Sequence, residues 1–155
     1  MWYWLTPLIV LAAAAGLVVM VRRLRTFGKA VQVERARELF RLQRERLEAQ
    51  FLSAAARTGK PRGLLWKECQ WGQDVIFVRD RQHGQIAALV DVTIQFEAVP
   101  GGDMEGLPAV GNLRVASAVF FYSNGSWGTV GKAIFNMNPA ETLNHFKNQY
   151  ETIAP

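Results

Sequence analysis

One cysteine, Cys69, is all that this chain of 155 residues carries, which excludes an intrachain disulfide and suits a reducing compartment. With no catalytic partner beside it in sequence, Cys69 reads as a small half-buried strand residue rather than a reactive thiol. Histidine is almost as scarce. His83 falls in an expected turn and His145 on an expected helix, and neither has Cys, Asp or Glu at a metal-ligand spacing. No nucleophile elbow, Walker loop or dinucleotide fingerprint occurs, and Gly101-Gly102 does not open a helix that could hold a phosphate. Asp91 and Glu97 share one strand face, yet the strand rise puts them about 20 Å apart, too far to act on one bond. Catalytic residues, metal ligands and a bound cofactor are therefore not expected.

Charge is missing from the beginning of the chain. Residues 2–21 hold no Asp, Glu, Lys or Arg, and Arg22, Arg23 and Arg25 follow at once. Twenty helical residues rise about 30 Å, the hydrocarbon thickness of a bilayer, so 2–21 is expected to be a transmembrane helix. Leu5, Leu8, Ile9, Leu11, Leu17 and the neighbouring valines favour insertion, while Trp2, Tyr3 and Trp4 suit the interface. Pro7 lies near the amino end, where a helix tolerates it best. A cleaved signal peptide would carry its basic residues before the apolar run, and here they come after it. Lysines and arginines beside a span stay in the cytoplasm, which puts the amino terminus outside and the rest of the chain inside a cell membrane.

The net charge of +5 has a location. Residues 22–57 carry ten basic and four acidic side chains, whereas residues 58–155 carry eight basic and nine acidic ones. The basicity thus belongs to the stretch next to the apolar run, and Arg22, Arg23, Arg25 and Lys29 are expected to meet lipid head groups. Nucleic acid is not an expected partner, because no stacking aromatics interleave with these charges.

Three regions follow: a span over 2–21, a basic juxtamembrane amphipathic helix within 22–60, and an α+β globular domain over 61–155. Residues 29–57 contain neither Gly nor Pro and repeat apolar residues at Val33, Ala36, Phe40, Leu47, Phe51 and Ala54. That stripe either packs on the chain's own domain or forms a homodimeric coiled coil through helix 29–57. Gln43 and Gln50 on the seam favour self-packing. Ala12 and Gly16 form a small-residue pair that would also assist dimerisation.

Beyond Gly59 and Pro61 the period changes to two. Strands are expected at 64–71, 74–79, 85–99, 113–122 and 126–137, with a turn at 80–84 and an Asn124-Gly125 hairpin. The third alternates most regularly and, at fifteen residues, calls for a bend or bulge. The fourth is apolar on both faces, as a strand covered on both sides should be. Asn138, Pro139 and Glu141 open a short C-terminal helix running to about Tyr150, with Leu143, Phe146 and Tyr150 buried. The expected fold is α+β: a transmembrane helix, a long amphipathic helix, a five-stranded antiparallel β-meander, and a short helix packing on the sheet.

Functionally this describes a membrane-anchored cytoplasmic domain that binds a protein partner or acts as a scaffold and is not an enzyme. The alternative is a small-ligand-binding or sensory domain with a pocket between sheet and C-terminal helix. The connector 100–112, thirteen residues with four glycines and two prolines, reads as mobile surface, and it is the first choice for a binding rim. Asp91, Asp103, Glu105 and Trp127 are the candidate rim residues.

Overall fold

The computed structural model describes residues 5–58 and 63–153, with backbone alone for residues 5–9, 25 and 58. The chain divides into two units, Met1–Arg35 and Ala36–Pro155. One helix, α1 (Leu5–Thr58), takes the place of the two that the sequence predicts. Gly28 lies inside it. A glycine inside a helix costs only about 1 kcal/mol relative to alanine, and the strong helix formers on either side outweigh it. The Thr26 hydroxyl donates back to the carbonyl of Arg23 at 2.8 Å, so it competes with no backbone bond outside the helix.

In the first unit the large apolar side chains from Val10 to Val31 are exposed, Leu11 to 75%, Leu17 to 65% and Phe27 to 73%, and Val33 is buried. Among the described residues no helix is long and apolar enough to cross a membrane. The described side chains of the apolar run, residues 10–21, cover about 18 Å of helix against about 30 Å of hydrocarbon. The rest of the expected span lies outside the described residues or is described by backbone alone.

The second unit is built on one antiparallel sheet of six strands. They are β1 (Leu64–Asp80), β2 (Ile86–Ala98), β3 (Arg114–Ser123), β4 (Ser126–Gly128), β5 (Ala133–Phe135) and β6 (Tyr150–Thr152). Their order is β4-β3-β2-β1-β6, with β5 also paired to β3. The two strands expected at 64–71 and 74–79 are one, since β1 runs through Gly72. The β1–β2 register shifts between Trp66 and Glu68 and again between Trp71 and Val75. A glycine within a strand commonly marks such a bulge, and bulges let long strands bend without ending. One expected strand is two. After Gly128 the chain leaves β3, and the Thr129 hydroxyl donates to the Val119 carbonyl at 2.9 Å while accepting from the Gly131 amide at 3.0 Å. Pairing with β3 then resumes at Ala133.

The C-terminal helix, α2 (Pro139–His145), is shorter than expected and Tyr150 belongs to β6. Its start is as the sequence predicts. Asn138 and Glu141 form a reciprocal capping box, each bond 2.9 Å. The early end has a cause in β1, whose last residues present an unpaired edge that Tyr150–Thr152 satisfies through Asp80, Arg79 and Val78.

Register places Phe77, Ala88 and Phe120 side by side on one face of the sheet. There Phe40 of α1 meets Phe77, Phe120 and Trp127 edge-on at 4.9–5.6 Å between ring centres. Farther along, Phe51 meets Trp66, Trp71 and Phe120. The stripe from Ala36 to Ala55 is therefore spent on the chain's own sheet. The opposite face buries Val78, Ala87, Leu89, Val119 and Tyr150, with Leu143 and Phe146 packed over them. β3 is buried on both sides from Ala116 to Phe120, as its two apolar faces imply.

Candidate functional site

Beyond Ala98 the connector to β3 is held by its own hydrogen bonds. Gly102 donates to Val99 at 2.9 Å, Glu105 to Gly102 at 3.0 Å and Val110 to Leu107 at 3.1 Å. The Glu105 carboxylate accepts the Gly101 amide at 2.7 Å, and the 3-10 turn Pro108–Gly111 finishes the loop. A segment that reads as loose surface is thus a wound loop whose apolar side chains have a defined side.

That side closes a pocket of about 270 Å³ over the sheet. Met104, Leu107, Ala109 and Val110 supply its loop wall, Leu64, Phe96 and Phe135 its sheet wall, and Arg114 and Asn136 its polar edge. Each comes from a different local cause. Ile94 pairs with Arg114 and Ala116 with Phe135, so these side chains share the face that carries Phe96. Asn136 adopts a positive φ of 61° just past β5, where its amide donates to Val115 at 2.8 Å. Behind the sheet wall, the Trp66 ring packs 5.2 Å from Phe96 and its buried N–H meets no acceptor among the described residues.

The sequence-predicted rim residues are not brought together. Asp103 is exposed on the loop and Glu105 is engaged in holding it, and neither lines the pocket. Trp127 is core: it is 6% exposed and its indole N–H donates to the Ala36 carbonyl of α1 at 2.7 Å. Asp91 lies mid-strand opposite Ser117, half-buried over Gly72, where any Cβ would come within 2.9 Å of its carboxyl carbon. Arg22, Arg23 and Lys29 are exposed, and the side chain of Arg25 lies outside those described. The pocket sits between the sheet and the connector, not between the sheet and α2. Sequence reasoning missed Met104, Leu107 and Val110, although their spacing of three inside a glycine-rich segment was a readable sign of one wound face.

Two ionisable groups outside the pocket have clear environments. Burial, reinforced by the charge of Glu68, pushes the Cys69 thiol up from 9.0 to about 11. At neutral pH its thiolate fraction is then about a hundredfold below that of an ordinary thiol. Labelling of Cys69 by a disulfide reagent in the folded chain is expected to be slower than labelling of free cysteine by about that factor. An equal rate would show that the thiol is not shielded.

Asp80, 2% exposed, ends β1. Burial raises its pKa, but that is outweighed by the His83 ring at 3.0 Å and the Gln82 amide at 2.8 Å, and the net direction is downward from 3.8. A carboxyl depressed in the folded state stabilises above its unfolded value, and this contribution is lost as pH falls through the lower folded value. Acid titration of stability is thus expected to show a loss below about pH 4 that Asp80→Asn removes. A wild-type slope retained in the variant would assign the acid transition to other groups.

Among the described residues no group of three His, Cys, Asp or Glu is placed to hold a metal ion. No protein-family model, no curated protein and no solved structure matches the chain.

Proposed function

We propose that the chain is a membrane-anchored domain that works by binding, as an interaction or scaffold module, and not by catalysis. The observation that carries this reading is the exposure of every described large apolar side chain of helix residues 10–31, from Val10 to Val31, beside exposed Arg22, Arg23 and Lys29. Contiguous apolar surface of this kind marks an interface, and a bilayer with anionic head groups complements both the apolar run and the arginines after it. The uncharged run from Trp2 supplies the remaining length for a span. The arginine cluster on its carboxyl side favours a cytoplasmic second unit. The side chains that would otherwise invite chemistry are employed structurally, His83 with Asp80 in a turn and Glu141 in a cap.

The test is alkaline extraction of membranes from cells expressing the full chain with a reporter after Pro155. The chain is expected to remain in the membrane with the reporter facing the cytoplasm. Leu11→Arg, near the middle of the run, costs insertion about 3 kcal/mol and is expected to release most of the chain into the soluble fraction. Wild-type chain recovered in the soluble fraction overturns the anchor, and a reporter on the outer side overturns the orientation.

A second reading has its own observation. The pocket between the sheet and the connector has the convergent polar edge and apolar walls of a small-ligand site, which supports a ligand-binding or sensory role for the second unit.

A further inference from the structure

We propose that the pocket behind the connector binds a small linear carboxylate, with its alkyl chain against Phe96, Phe135, Met104 and Leu107 and its carboxylate at Arg114. The inference rests on the reading of this pocket as a ligand site and adds the chemical class of its ligand. Three features carry it. The walls are apolar except at one edge, so an occupant gains by burying hydrocarbon there. The volume, about 270 Å³, lies just under the range of drug-sized sites, which selects a small occupant.

The edge, finally, has one sign of charge. Arg114 borders both this pocket and the open cleft beside it, and the one carboxylate of that cleft, Glu141, is engaged by the Asn138 amide at 2.9 Å. Among the described residues no carboxylate pairs with Arg114. A guanidinium with its fork unclaimed binds a carboxylate through paired, charge-assisted hydrogen bonds, and the Asn136 amide group beside it can donate as well. A neutral ligand of the same length would leave that edge unused.

The experiment uses the full chain in lipid nanodiscs with ¹³C-labelled methionine methyl groups, titrated with octanoate and separately with 1-octanol at measured free concentrations. Met104 lines the pocket, whereas Met20 and Met137 do not, so its methyl resonance reports occupancy of this site alone. Octanoate is expected to shift Met104 saturably at about tenfold lower concentration than octanol, the net effect of the paired hydrogen bonds at Arg114 after both ions lose part of their hydration. Arg114→Gln is expected to equalise the two ligands. Ala109→Trp, at an exposed position of the loop wall, is expected to abolish the Met104 response to both. Equal affinity of acid and alcohol in the wild type, or a preference that survives Arg114→Gln, overturns the carboxylate assignment while the pocket reading stands. No Met104 response to either ligand, or one unchanged by Ala109→Trp, overturns both.

Discussion

Gly131→Ala is expected to destabilise the second unit by about 2–5 kcal/mol, a large share of the roughly 5–15 kcal/mol that holds a domain folded. Two penalties combine. Gly131 has φ of 75°, a left-handed conformation that costs an alanine roughly 1–2 kcal/mol. The position is also buried, and a Cβ there would lie 2.7 Å from the carbonyl carbon of Ala54 and the Cα of Ala55. Those are backbone atoms of α1, so no side chain can swing away; the loop between β4 and β5 or the helix itself must move. Overpacking of that kind costs about 1–3 kcal/mol. Gly125 separates the two contributions. Its φ is 79°, yet nothing lies within 4 Å of a Cβ added there. Gly125→Ala is therefore expected to cost only the conformational part, about 1–2 kcal/mol. Denaturant unfolding of the full chain in mild detergent, followed by tryptophan fluorescence, measures both. Equal losses would mean that the contact between Gly131 and α1 carries no energetic weight.

What could be read from residues alone, and what could not, divides along physical lines. β2 was legible because its alternation spans many residues, and the hairpin because Asn124 and Gly125 both tolerate the positive φ they adopt, 51° and 79°. The cap at Asn138 was legible because its chemistry is local. Elements decided by their neighbours were not. Gly72 ends a strand by local propensity, but twelve cross-strand pairs with β2 carry β1 through it. Tyr150–Thr152 is too short to show a period, and it is a strand because the edge of β1 lies beside it. Trp127 was misplaced for the same reason, since its indole N–H finds an acceptor 91 residues away. The pocket draws Leu64, Phe96, Arg114 and Asn136 from four separate parts of the chain. The one fragment of it that sequence could show is the connector, where the pocket is lined by apolar Met104, Leu107 and Val110 and not by Asp103 or Glu105.

The stripe on α1 makes the second strong prediction. Phe51 is fully buried and touches three aromatic rings of the sheet, at 5.4–6.0 Å between centres. Phe51→Ala removes a whole ring from a packed layer, and truncations of this kind cost about 3–5 kcal/mol, since the surroundings relax only in part. Leu42 lies on the same helix at 71% exposure, so Leu42→Ala is expected to change stability by less than about 0.5 kcal/mol. The pair also decides between the two fates open to a heptad-like stripe. If the stripe packs on the chain's own sheet, the loss caused by Phe51→Ala is the same at every protein concentration. A seam shared with a second copy would make stability, and the loss, depend on concentration. The ring contacts of Phe40 and Phe51 with sheet residues call for the first outcome. A concentration-dependent midpoint that Phe51→Ala abolishes would mean that a second copy displaces the sheet from this stripe.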